Sequence, residues 1–198
     1  SLVGSEMCIR DSYLRGELVE PAKPIVFYIE NSTPYRWRKY IKQGIEDWQV
    51  AFEHAGFKNA IIAKDITDSM TVDMDDVNYS VLTYAASTKA HAMGPSILDP
   101  RSGEILEADI MWWHNVLNML QEWITVQTGT VRPEARGIKL SDELMGDAMR
   151  FVACHEVGHS LGLRHNMMGS WAFPTDSLRS KLSLIHISEP TRLDVISY

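Results

Sequence analysis

The stretch His155-Glu156-Val157-Gly158-His159-Ser160-Leu161-Gly162-Leu163-Arg164-His165 sets three imidazoles, a carboxylate and a glycine at fixed spacings. On an α-helix, residues four apart lie ~40° apart around the axis and one turn apart along it, so His155 and His159 can reach one cation. A zinc–nitrogen bond of ~2.0–2.1 Å demands that approach. Glu156 follows the first histidine, so its carboxylate flanks the ion and can accept a proton from water held there. Gly162 carries no Cβ penalty at positive φ and lets the chain leave the helix sharply. The turn then returns His165 as a third ligand. Three protein ligands with a fourth position open to water are the pattern of a catalytic zinc site, not a structural one.

Chance assembles these five positions with a frequency on the order of 10⁻⁵, since histidine and glycine are each a minor share of residues. A solvated helix face explains neither Gly162 nor His165. Three imidazoles accept several divalent ions, and a single catalytic Zn2+ suits the ligand type best. Zinc would polarise an amide carbonyl and bring the pKa of its water toward ~7. Glu156 would take the proton and pass it to the leaving amine. The expected reaction is hydrolysis of a peptide or protein substrate. Two alternatives use the same ligands: a zinc-binding, non-catalytic module of a larger surface protein, and a hydrolase of a non-peptide amide. Intact Glu156 speaks against the first, because a structural site needs no base. The spacing does not separate the second.

Other residues have plainer readings. His114, His54 and His91 lack partners at ligand spacing and read as packed or surface histidines. Cys154 reads as a small buried hydrophobe. Asp73, Asp75 and Asp76 cluster in a polar stretch, but the spacing lacks the glycine and distal glutamate of a calcium loop. Glu107 and Asp109 share a face of an apolar run where Glu104 also lies nearby, and a structural or supporting role stays open.

The elements that must position the motif follow from periodicity. Pro24–Glu30 reads as a buried strand. Trp37, Ile41, Ile45, Trp48 and Phe52 recur at helical steps, which predicts one amphipathic helix from Tyr35 to about Ala55, ended by Gly56. Ala60–Ala63, Tyr79–Ala85, Ala92–Leu98 and Ile105–Trp112 read as further strands, the last two joined by a turn at Asp99–Glu104. His114–Gln127 reads as helix and Thr128–Leu140 as loop. The last helix starts at Ser141-Asp142, with Glu143 in its first turn. Leu144, Ala148, Phe151, Val152, His155 and His159 follow down one of its faces. This order predicts an α+β domain, a twisted mixed sheet with a backing helix and an active-site helix.

The chain has 198 residues, 45% of them hydrophobic, and a formal net charge of −7. That length supports one real core. There is no basic block to attract nucleic acid, and no apolar run long enough to span a bilayer. Oligomeric state is not fixed by the sequence. Ser1–Ser12 and Leu182–Arg192 resemble the two strands of a transposon-type sequencing adapter translated in frame. Residues 1–12 and 182–198 are therefore set aside as an artefact, leaving 13–181 as the domain.

The extended zinc motif resembles that of the metzincin clan of zinc endopeptidases. Ala92–Asn115 and Glu143–Arg179 resemble, more narrowly, a bacterial metzincin-like family of large exported proteins. The resemblance implies His155, His159 and His165 as metal ligands and Glu156 as the base. It implies a periplasmic, cell-surface or secreted location. It also implies an extended substrate along the sheet edge near Ala92–Leu98, which marks Met93, Gly94, Pro95 and Ser96 as substrate-binding candidates. Metzincins place a methionine turn beneath the zinc. Met167 and Met168 follow His165 too closely for it, so a fragment truncated after the third ligand is expected.

Overall fold

The computed structural model describes residues 15–67, 70 and 76–165. In chain order these form β1 (Ile25–Ile29), α1 (Tyr35–Glu46), α2 (Gln49–His54), β2 (Ile61–Asp65), β3 (Ser80–Ala85), β4 (Ala92–Met93) and β5 (Ser96–Leu98). There follow β6 (Ile105–Ala108), β7 (Ile110–Trp113), α3 (Val116–Thr128), a 3₁₀ turn at Pro133–Arg136 and α4 (Asp142–Ser160). The fold is α+β, as the element order implies, and fits a zincin catalytic domain.

The main sheet has the order β2-β1-β3-β7-β4. Its first four strands are parallel, and β4 runs antiparallel to β7 at the edge, with Ala92 opposite Trp112 and Met93 opposite Met111. Phe27, Ile29, Val81, Leu82, Ile110 and Trp112 have no solvent exposure. Near-continuous apolar runs of this kind are what strands covered on both faces require.

Two of the strands read from the sequence are each divided. Ala92–Leu98 breaks at Gly94-Pro95 into β4 and β5, and Ile105–Trp112 breaks at Asp109 into β6 and β7. The two breaks release a separate β5–β6 hairpin from the main sheet. Asp109 turns its carboxylate to the Val81 N–H at 2.9 Å, and the Ala108 N–H donates to Ser80 Oγ at 3.1 Å. Side chains thus replace ladder bonds at the bend. At the hairpin tip Gly103 has φ +74°. Asp99 accepts from the Arg101 amide and guanidinium there, which holds its carboxyl below the usual carboxylate range.

The first helix is likewise divided, into α1 and α2 at Asp47-Trp48. Both residues there are tied to α4. Arg150 donates two hydrogen bonds to the Asp47 carboxylate, at 2.7 and 2.5 Å. The Trp48 indole N–H donates to the Cys154 carbonyl at 2.8 Å. The third helix starts at Val116 instead of His114, and the loop before α4 contains the 3₁₀ turn.

The helix α4 begins as expected, with Ser141 Oγ accepting from the Leu144 N–H. Along the face read from the sequence, Ala148 and Val152 are buried, whereas Leu144, Phe151, His155 and His159 are half-buried. Met145, Met149, Ala153, Glu156, Val157 and Ser160 are buried as well, because α4 is packed on several sides, by α1, α3, β4 and β7. Where α1 crosses α4 the backbones nearly touch. A Cβ on Gly44 would overlap the Arg150 carbonyl oxygen and stand 2.8 Å from the Ala153 Cβ, and one on Gly146 would overlap the Tyr40 ring. Adding a methyl to so tight a contact forces the helices apart. Gly44→Ala is therefore expected to lower unfolding free energy by ~2 kcal/mol, within the usual range for overpacking. Urea denaturation measures this, and an unshifted midpoint would contradict the close crossing.

Candidate metal centre

His155 and His159 stand one turn apart on the last two turns of α4, and His165 returns beyond its end. The reversal is built from main-chain bonds. Gly162 has φ +91°. Its N–H donates to the His159 carbonyl at 2.9 Å, and the Leu163 N–H donates to the Gly158 carbonyl at 3.0 Å. These are the paired bonds of a Schellman cap, which needs a residue at ease in left-handed backbone. Glycine at 162 therefore ends the helix as the sequence implies, and redirects the chain toward the site.

The three histidines converge. Each Nε2 lies 3.1 Å from each of the other two. The corners of a triangle with these sides lie about 1.8 Å from its centre (3.1/√3). That is inside the ~2.0–2.1 Å zinc–nitrogen distance, so the three nitrogens fit a zinc ion. Among the described residues this is the group of His, Cys, Asp and Glu side chains close enough to hold a metal.

The protonation of one ligand follows from its partner. His159 Nδ1 lies 2.9 Å from the Leu163 carbonyl oxygen. A carbonyl only accepts, so Nδ1 carries the proton, and in the neutral ring Nε2 presents its lone pair to the centre. The cap that ends α4 thus supplies the carbonyl that sets the tautomer. His155 stacks against Phe151, with ring centroids 6.4 Å apart.

Glu156 lies on the inner side of the same turn, with 7% exposure. Burial raises its pKa above the usual carboxylate range, while His159 and a backbone hydrogen bond from Gly94 act in the opposite direction. Desolvation disfavours the charged form of a carboxylate.

The four substrate-binding candidates are divided between two settings. Met93 and Pro95 are exposed along the edge, Gly94 is half-buried against α4, and Ser96 starts the hairpin opposite Ala108. Within Ala92–Leu98 only β4 lies at an edge of the main sheet; Ser96–Leu98 belongs to the second sheet.

The remaining candidates lie apart from the ligand group. His114 is exposed and hydrogen-bonds Tyr84 Oη through Nδ1 at 2.7 Å; burial raises the Tyr84 pKa. His91 is exposed and stacks on Trp113, and His54 is exposed on α2. Cys154 is half-buried. Glu107 is buried in β6 at 6% exposure. Of the acidic cluster, Asp73 and Asp75 lie outside the described residues, as do Met167, Met168 and both adapter-like segments. The Asp47–Arg150 pair and the glycine contacts escaped the sequence reading; nothing in the periodicity of either helix marks them.

A family model described as Met-zincin matches residues 137–185, a span containing α4 and all three histidines. No curated protein and no solved structure matches the chain. The match and the triangle of imidazoles together support a zinc-binding domain of the metallopeptidase type.

Two outcomes are expected of the site. The full chain should hold about one zinc after dialysis, read by elemental analysis, and the double substitution His155→Ala/His159→Ala should abolish it. Gly162→Ala should weaken zinc binding ~10-fold or more, the usual scale for groups that orient ligands, because it disturbs both the Leu163 carbonyl and the return of His165. A competition titration with a chromogenic chelator measures the second. Unchanged affinity would mean the cap does not position the ligands.

Proposed function

We propose that this chain carries the catalytic domain, at residues 13–181, of a zinc-dependent endopeptidase. The observation that carries it is the placing of Glu156 on the same helical turn as two of three imidazoles whose Nε2 atoms are mutually 3.1 Å apart. Zinc, when bound, polarises the scissile carbonyl and acidifies water beside it.

The chain's own residues supply the rest. His155, His159 and His165 would hold the ion. Glu156 takes a proton from the attacking water and delivers it to the leaving amine. The open edge of β4, bearing exposed Met93, offers main-chain groups to an extended peptide by strand addition. Pairing at an edge reads the backbone of a substrate, so an endopeptidase with broad sequence tolerance is the substrate class favoured. No helix among the described residues is long and apolar enough to cross a membrane. On the family resemblance, the action is placed in the periplasm, at the cell surface or outside the cell.

Glu156→Gln preserves size and removes the base. Hydrolysis of an unfolded protein substrate should fall by at least ~10²-fold, since proton transfer contributes ~10²–10⁴, while zinc content stays unchanged. A variant keeping a tenth of the activity would remove Glu156 from the role. Cleavage of small non-peptide amides with no cleavage of any protein would replace the substrate class proposed.

A further inference from the structure

The edge strand and the zinc helix meet at Gly94. A Cβ there would overlap the Glu156 carbonyl oxygen and lie 2.8 Å from Ser160 Oγ. Ser160 is 1% exposed, and its hydroxyl donates to that same carbonyl at 3.0 Å. The Gly94 N–H is hydrogen-bonded to the Glu156 carboxylate. Gly94 is not among the glycines with positive φ, which are Gly16, Gly56, Gly103 and Gly162. Its backbone conformation would therefore suit any residue. The demand for glycine comes from the contact alone.

Exposure alternates along this stretch. Ala92 is buried, Met93 exposed, Gly94 half-buried and Pro95 exposed. Successive residues of extended chain face opposite sides, so Gly94 is turned from solvent toward α4 while its neighbours line the open edge. We propose that Gly94 is a positioning residue, seating β4 on the turn of α4 that carries Glu156 so that the carboxylate and the substrate-binding edge share one rigid frame. This rests on the reading of Glu156 as the base. The consequence is geometric: a peptide laid along β4 presents its carbonyl at a height set by the strand, and the same strand fixes the group that serves it. Misplacement of a reacting group by about 1 Å can cost ~10²-fold in rate.

The test compares the full chain, Gly94→Ala, Glu156→Gln and the double variant, each loaded with zinc. Acetohydroxamic acid is the probe, because it chelates zinc and shares a proton with a carboxylate beside the ion. Calorimetric titration should show Gly94→Ala retaining its zinc and binding the probe at least ~10-fold more weakly, the scale of supporting-group effects. It should add nothing in the Glu156→Gln background, since Gly94 acts through Glu156. Undiminished binding, or an equal loss in both backgrounds, would overturn the assignment.

A second measurement needs neither zinc nor a substitution at Gly94. Hydrogen exchange of the Gly94 amide in the metal-free chain should quicken at least ~10-fold in Glu156→Ala, as a protecting hydrogen bond is lost. Exchange at the original rate would equally overturn it. Peptide hydrolysis enters none of these readings, so a well-behaved but inactive protein would count against the proposed reaction and not against the positioning.

Discussion

Three histidine nitrogens 3.1 Å apart can hold one cation only while the helix and the turn that carry them keep their places. The scaffold must therefore fix α4, and it does so through contacts that leave no room for a side chain. Gly44 of α1 lies on the Arg150 carbonyl, Tyr40 lies on Gly146, and Gly94 lies on the Glu156 carbonyl. Close-packed interiors transmit displacement instead of absorbing it. A methyl group at Gly44 or Gly146 would press on the helix that bears His155, His159 and Glu156. The Asp47–Arg150 pair fixes the same helix along its length, and it lies at the place where the first helix divides.

This constraint explains how unevenly the structure could be read from the sequence. The ligands, the Ser141 cap and Gly162 were legible because each expresses a local rule: helical spacing, a side-chain oxygen for an orphan N–H, left-handed backbone for glycine. The strand breaks were not. Asp109 sits inside an apolar run and reads as a polar face residue, but its carboxylate serves the Val81 N–H of another strand. Gly94 reads as one more residue of the Ala92–Leu98 strand until the approach of α4 is known. Trp48 has the right spacing for a continuous helix, yet its indole is bonded to the Cys154 carbonyl 106 residues away. Each of these depends on a partner remote in the chain, and periodicity carries no information about such partners. The burial of Met145, Met149 and Ala153 on α4 was not legible either, since a helix enclosed from several sides shows no single apolar stripe.

The buried glutamate belongs to the same balance. A carboxylate at 7% exposure is costly to keep charged. Its partners are few, the Gly94 amide and His159, and neither offsets desolvation in full. A protein selected for stability alone would place an apolar residue on this turn, beside Val157 and Ala153. The proposed proton transfer at this site accounts for a carboxylate there. Departure from packing rules at this position is therefore itself an indication of function.

The helix cap links these points. Ending α4 at Ser160 requires its last carbonyls to find donors, and the Gly162 and Leu163 amides provide them. Once the chain has reversed there, the Leu163 carbonyl faces back toward the helix and accepts from His159 Nδ1. The same reversal carries His165 to within 3.1 Å of the other two imidazoles. The interval of six residues between His159 and His165 is thus not a spacer. A shorter connection would omit either the left-handed residue or the accepting carbonyl. A longer one would loosen the third ligand, because added residues bring conformational entropy and no contact to offset it. Helix termination, tautomer selection and ligand placement are one structural event, and a single glycine makes all three compatible.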